Sequence, residues 1–220
     1  MEKVDYKKKD KALYGPKTTP MLVEVPKMNF LMIDGKGNPN TSKMYKEACE
    51  ILYGLSYAIK MSPKSHIHFE GYFDYVVPPL EGLWWLEEDM EEVDYSQTQV
   101  KDNFCWTSIM RQPEFVNDEV FNKAKEILSK KKPELDLSGV RLVQWEEGLC
   151  AQIMHIGSYN DEPATIQKLQ KFISKEGYQE ELSNTRRHHE IYLGDPRKIA
   201  PDKLKTVIRH PICVADNERE

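Results

Sequence analysis

His188-His189-Glu190-Ile191-Tyr192-Leu193, then Gly194-Asp195-Pro196-Arg197-Lys198, then Leu204-Lys205-Thr206-Val207-Ile208-Arg209-His210-Pro211, is the stretch on which the reading of this chain turns. It reads as two strands joined by a loop. Period-two alternation places His189, Ile191 and Leu193 on one face of the first strand and His188, Glu190 and Tyr192 on the other. Ile191 and Leu193 mark the core face, so an acid and a phenol project together from the opposite side. Such a pair is either an exposed polar face or the polar end of a pocket.

The rest of the chain narrows that choice. At 220 residues it is long enough to bury a substantial core. Its hydrophobic fraction of 40% and charged fraction of 30% fit a globular protein. A net charge of −5 argues against a nucleic-acid binder, which needs a basic face. No apolar run is long enough to span a membrane. The lysine-rich N-terminus lacks the apolar segment and cleavage site of a signal peptide. Cys49, Cys105, Cys150 and Cys213 lie far apart with no C-x-x-C pair, which suits reduced thiols in a cytoplasmic protein.

In chain order, residues 1–20 read as an extended, polar, proline-punctuated arm. Residues 29–34 read as a buried strand and 35–39 as the turn that leaves it. Thr41 or Ser42 caps a helix running to about Met61, where Ser62-Pro63 breaks the pattern. A strand is expected from about His66 to Val77, closed by Pro78-Pro79-Leu80-Glu81-Gly82-Leu83-Trp84-Trp85. The acidic run 87–94 reads as a solvated loop or helix turn. Residues 104–111 form the next strand, and Asn117 or Asp118 caps a helix over 119–132. Residues 140–146 and 149–156 read as a hairpin about Glu147-Gly148. A third helix runs over 163–175, with proline at its start.

This order contains a repeat. Strand, helix, strand, strand occurs twice, and both copies end in a Thr-…-Ile-…-Arg-x-Pro run, at 107–113 and 206–211. The fold class is therefore α+β: two β-α-β-β modules sharing an antiparallel sheet, helices on one face, and a central ligand groove. The first module spans about 28–113, a connector helix about 117–132 and the second module about 140–213. Together they make a single domain over 21–213 with a polar tail at 214–220. The cleft is expected on the sheet face that the helices leave bare.

Residues 189–211 resemble the C-terminal signature of the GyrI-like small-molecule-binding domain family. Pro79-Leu80-Glu81-Gly82-Leu83-Trp84-Trp85 followed by Trp106-Thr107-Ser108-Ile109-Met110-Arg111-Gln112-Pro113 resembles its first-half motif. The two motifs together are specific, and the resemblance covers roughly residues 20 to 213. It implies a duplicated, SHS2-like module with a central groove. Some members are effector-binding domains of AraC- and MerR-type regulators, in which a buried glutamate meets cationic drugs; Glu190 stands where that glutamate is expected. Others stand alone, and some of these resemble hydrolases that open the cyclopropane ring of DNA-alkylating natural products. No helix-turn-helix segment flanks this domain, which favours the stand-alone group.

Glu190 is the leading site candidate, as a general base or as the counter-charge to a bound cation; the bland alternative is a half-exposed strand glutamate. Desolvation among aromatic rings is expected to raise its pKa. Tyr192 or His155 is the candidate donor to a developing negative charge. Trp84, Trp85 and Trp106 are candidate stacking surfaces as well as candidate core, with Trp85 and Trp106 preferred as groove walls. Tyr72 and Asp74 align in the repeat with His188 and Glu190, so these four are expected to line the groove from both halves. His66 and His68 share a strand face, but no third ligand is placed, so neither a metal nor a cofactor is expected. The expected partner is a small aromatic or electrophilic ligand, with no nucleic acid or membrane. Three functions compete: a hydrolase of cyclopropane-bearing alkylators, a non-catalytic binder of aromatic or cationic drugs, and a protein docking onto a topoisomerase.

Overall fold

In the computed structural model, which describes residues 3–86, 102–183 and 185–215, the helices start at the caps the sequence offers. Ser42 accepts a hydrogen bond from the Tyr45 amide and opens α3 (Lys43–Lys60). Asn117 does the same for the Val120 amide and opens α4 (Asp118–Lys131). α5 (Glu162–Lys175) carries proline in its first turn. Two one-turn helices precede them, α1 (Tyr6–Lys9) and α2 (Lys11–Tyr14). The strands among the described residues are β1 (Met21–Val25), β2 (Met28–Lys36), β3 (Leu80–Leu86), β4 (Phe104–Gln112), β5 (Arg141–Trp145), β6 (Gly148–Ile156), β7 (Tyr178–Glu180), β8 (His188–Tyr192) and β9 (Lys205–Val214). No helix among the described residues is long and apolar enough to cross a membrane.

The strands form an antiparallel sheet in the order β1-β6-β9-β8-β3-β4-β2-β5, with β7 also pairing with β9. Each half has the same topology: β2-α3-β3-β4 and β6-α5-β8-β9, with the last strand of each between the other two. The halves meet where β3 pairs with β8. Two residues separate β1 from β2, and they span at most roughly 11 Å. Yet six strand spacings, roughly 29 Å in a flat sheet, lie between these strands. The sheet must therefore curl until its ends approach. Contacts across the curl agree: Trp145 on the end strand β5 lies with its ring 5.9 Å from that of His189 on the central strand β8.

The cores follow from alternation. Leu31, Ile33, Trp84, Trp106 and Met110 face the apolar stripes of α3 and α4, while Ala151, Ile153, Ile208 and Ile212 face Leu169 and Ile173 of α5. The opposite, concave face carries Cys150, Ile191 and Val207 and is covered by Tyr6, Leu13 and Tyr14 of the N-terminal segment.

Three expectations change. Residues 3–20 do not extend away; α1 and α2 fold into the concavity because Tyr6, Leu13 and Tyr14 bury there. Residues 66–77 form no strand. Tyr75 makes one isolated bridge to Val4, and Tyr72, Phe73 and Tyr75 gather around Phe115 as an aromatic cluster. The first module's middle strand is instead β3, beyond Pro78-Pro79, whose missing amides bar a ladder at that point. β5 and β6 are not a hairpin: β5 pairs with β2 and β6 with β1 and β9, at opposite ends of the sheet. Gly148, at φ 71°, lets the chain swing apart there while Glu147 turns inward to His189 and Arg209. The acidic run 87–94 lies outside the described residues.

Candidate functional site

β8 presents His188, Glu190 and Tyr192 on the helix-bearing, convex face, between the start of α3 and the start of α5. Glu190 thus lies on the face opposite the bare one on which the cleft is expected; the arm and a buried charge network line much of that bare side. Gly82 pairs with Glu190 across the sheet and Trp84 with His188, so β3 supplies the neighbouring floor. A Cβ on Gly82 would come within 2.6 Å of Trp84 Nε1 and 3.0 Å of the Tyr192 hydroxyl. Glycine there makes room for a bond between those two groups.

That bond begins a hydrogen-bonded line. Trp84 Nε1 donates to the Tyr192 hydroxyl at 2.8 Å, and that hydroxyl donates to Glu190 Oε2 at 2.8 Å. Glu190 Oε1 meets His188 Nε2 at 2.9 Å. Around this line stand two further tyrosine rings. Tyr45, set by the Ser42 cap in the first turn of α3, lies 5.8 Å from the Trp84 ring. Its own ring meets Trp106 edge-on at 5.1 Å. Tyr159, in the 3-10 turn before α5, meets Tyr192 edge-on at 5.8 Å.

The electrostatics differ from expectation. Burial acts to raise the Glu190 pKa, but the His188 hydrogen bond and charge, with the Tyr192 hydroxyl, outweigh it and hold the carboxyl below its ordinary range. Glu190 is therefore an ionised carboxylate at neutral pH, not a raised acid. Burial first and then the Glu190 charge push Tyr192 well above its ordinary value, keeping it a donor. Burial, followed by Glu190 and Glu162, pushes Tyr159 up to about 12. The site is thus one desolvated negative charge, held by donors and walled by neutral aromatic rings.

The other sequence candidates are distributed as follows. His188 joins the site, and Trp106 serves beneath it as the buried support of Tyr45. Trp85 does not join: as the neighbour of Trp84 it faces the opposite side, under the Arg187 guanidinium at 4.4 Å. Tyr72 and Asp74 do not join either, because β3 takes the place assigned to their segment. Tyr72 donates to the Lys60 carbonyl and Asp74 pairs with Lys60 and Lys3. His155 is buried two strands from β8, with Nδ1 2.8 Å from the Thr165 hydroxyl and Nε2 3.0 Å from the Ser158 carbonyl. Nε2 must carry the proton and Nδ1 accept, so both nitrogens are committed and the ring anchors the Ser158–Tyr159 turn. Tyr45, Tyr159, Gly82, His210 and Glu180 are absent from the sequence-based set, and Trp84, weighed there as a stacking surface, is not among its preferred groove walls. The parity of Trp84 against His188 needed the β3–β8 register, which no local pattern supplies.

Residues 18–212 match the family model for a GyrI-like small molecule binding domain. A crystal structure of an uncharacterized conserved protein from Listeria innocua is 46% identical, covers 96% of this chain and 100% of its own, and superimposes with a TM-score of 0.89. Two structures of hydrolases from the same organism are 44% and 45% identical over 96% of this chain and 100% of theirs, with TM-scores of 0.86 and 0.87. The C-terminal domain of EcmrR, 12% identical at a TM-score of 0.53, shares the fold alone over 90% of this chain and 98% of that domain. No curated protein matches the chain.

Proposed function

The chain belongs to the GyrI-like small-molecule-binding domain family, and on that footing we propose that it hydrolyses aromatic electrophiles bearing a cyclopropane conjugated to a carbonyl. Water addition opens the ring and removes the alkylating reactivity, which is a detoxification. The observation that carries this reading is the ionised Glu190 beneath Trp84, Tyr45 and Tyr159, with the Tyr192 hydroxyl already on its oxygen. The hydrolase description of the two Listeria innocua relatives supports it.

The steps follow from the groups present. A flat aromatic ligand stacks against the rings, and water sits between Glu190 and the strained carbon. Glu190 takes a proton as the water oxygen bonds to that carbon. The ring C–C bond breaks, and its electron pair passes through the conjugated system to the carbonyl oxygen. Tyr192, no longer needed by the protonated Glu190, donates its proton to that oxygen and recovers one from Glu190. The sum is ligand plus one water, with no redox change.

The test is mass spectrometry of a cyclopropane-bearing alkylator incubated with wild type and with Glu190→Gln. Water addition by wild type, slowed ~10²–10⁴-fold in the variant with binding retained, is expected. Equal turnover by both removes Glu190 from the mechanism. Recovery of intact, bound compound from wild type leaves the second reading, sequestration of a cationic aromatic drug, which the same buried carboxylate among rings favours.

A further inference from the structure

The hydrogen-bonded line does not stop at His188. Its Nδ1 lies 2.6 Å from His210 Nε2, and His210 Nδ1 lies 2.5 Å from Glu180 Oε1. β7 and β8 flank the same side of β9, so Glu180 at the end of β7 and His188 at the start of β8 bracket His210. The His210 side chain is only 3% exposed, whereas that of Glu180 is 23% exposed and its second oxygen accepts from Gln170 on the surface of α5. The chain of groups thus leads from Glu190 among its aromatic rings to the solvent edge of the second half.

Three hydrogen bonds, Glu190–His188, His188–His210 and His210–Glu180, each need one proton. Two neutral imidazoles supply two. The line therefore holds one proton more than its imidazoles account for, with a carboxylate at each end. With both glutamates ionised, one imidazolium between them satisfies every bond; with both imidazoles neutral, two end states do so. In one, Glu190 is protonated, both imidazoles carry Nδ1–H, and Glu180 is a carboxylate. In the other, Glu190 is a carboxylate, both imidazoles carry Nε2–H, and Glu180 is protonated. Shifting each of three protons across its own bond converts one state into the other, with no heavy atom moved and no charge left in the middle.

We propose that His188, His210 and Glu180 form a proton relay through which Glu190 exchanges its proton with solvent at the β7 edge while a ligand covers the groove. The relay rests on the reaction proposed above and gives the proton that Glu190 gains from water a second path, besides its return to Tyr192. It makes His210 and Glu180 positioning residues, acting through His188. The other charged or titratable groups facing the line are Tyr192 on β8, Tyr45 on α3, Tyr159 and Glu162 at the start of α5, and His189 and Glu147 beneath the sheet. Tyr45 and Tyr159 stay protonated, Tyr192 exchanges its proton only with Glu190 and the ligand, and His189, Glu147, Glu81 and Arg209 form a closed set, so none leads to solvent.

The relay is tested without any ligand, by proton and nitrogen NMR of the full chain with labelled histidine. Wild type is expected to show three strongly deshielded exchangeable protons linked in series through His188 and His210. Glu180→Gln, which keeps shape and a hydrogen bond to His210, should leave two and lower the His210 titration, since a neighbouring negative charge is removed. Two such protons in wild type, or three in the variant, overturns the relay. Should the variant fail to fold, the wild-type proton count alone decides. If wild type opens no cyclopropane probe yet shows three linked protons, the relay stands and the reaction falls. If it turns the probe over but shows two, the reaction stands and the relay falls.

Discussion

Glu190 shows how neighbours overrule burial. An apolar wall alone would raise its pKa, yet two donors spaced i±2 on its own strand, His188 and Tyr192, reverse the sign. Tyr192→Phe removes one donor and leaves Trp84 Nε1 without its acceptor. The expected outcome is a Glu190 titration moved upward, followed by carboxyl carbon NMR, and slower turnover with binding of the aromatic ligand retained. Gly82→Ala tests the floor: a Cβ 2.6 Å from Trp84 Nε1 cannot be seated without shifting the indole. It should cost about 1–3 kcal/mol in chemical denaturation and displace the Tyr192 hydroxyl from its position. The face shared by His188, Glu190 and Tyr192 was legible in the sequence because period two is a local property. Which tryptophan stood beside them was not, since that depends on how β3 registers against β8.

Local signals fared well wherever the chain decides its own structure. Ser42 and Asn117 cap helices as their types predict, and the helix limits fall within a residue or so of the sequence reading. Segments whose fate depends on distant partners were misread. The alternating aromatics of 66–77 look like a strand, but they pack around Phe115 instead of joining a ladder. The polar arm looks solvated, yet its carbonyls have work in the interior. Ala12 accepts from Gln152 at 2.5 Å and Leu13 from Arg209 at 2.8 Å. Removing residues 1–16 would strand both donors, each costing ~1–3 kcal/mol, and uncover Ile191 and Val207. We expect a truncated chain to unfold at markedly lower urea, with the Glu190 site lost only as the whole sheet is lost.

Across the molecule, the concave side is held by compensated charge. His189 lies between Glu81 and Glu147 at 3.0 Å each, and Arg209 completes the set with a 3.0 Å bond to Glu147. Burial opposes the imidazolium, but Glu147 and Glu81 raise His189 to about 9; burial likewise opposes ionised Glu147, which His189 and Arg209 hold at about 2. The raised histidine stabilises in full below its ordinary 6.5 and loses that contribution as pH rises through about 9. The depressed glutamate stabilises above its ordinary 4.5 and loses it as pH falls toward about 2. Melting temperature should therefore be highest between 4.5 and 6.5 and fall toward pH 9, by roughly 3 kcal/mol in stability at 1.36 kcal/mol per pH unit. His189→Gln should lower it throughout and flatten the alkaline slope, because the titrating group is gone.

The two-residue links that join β1 to β2 and β5 to β6 across the sheet also mean that each half wears the other's edge. β1 precedes the first half in the chain but borders the second, and β5 precedes the second but borders the first. A chain cut between Ser138 and Gly139 would part into pieces that each carry a strand belonging to the other, and each would expose the β3 or β8 flank at which they join. Neither piece should fold by itself. Expressed together they should reassemble, as interlocked hands close, giving a split protein whose regained Glu190 site reports that its fragments have met.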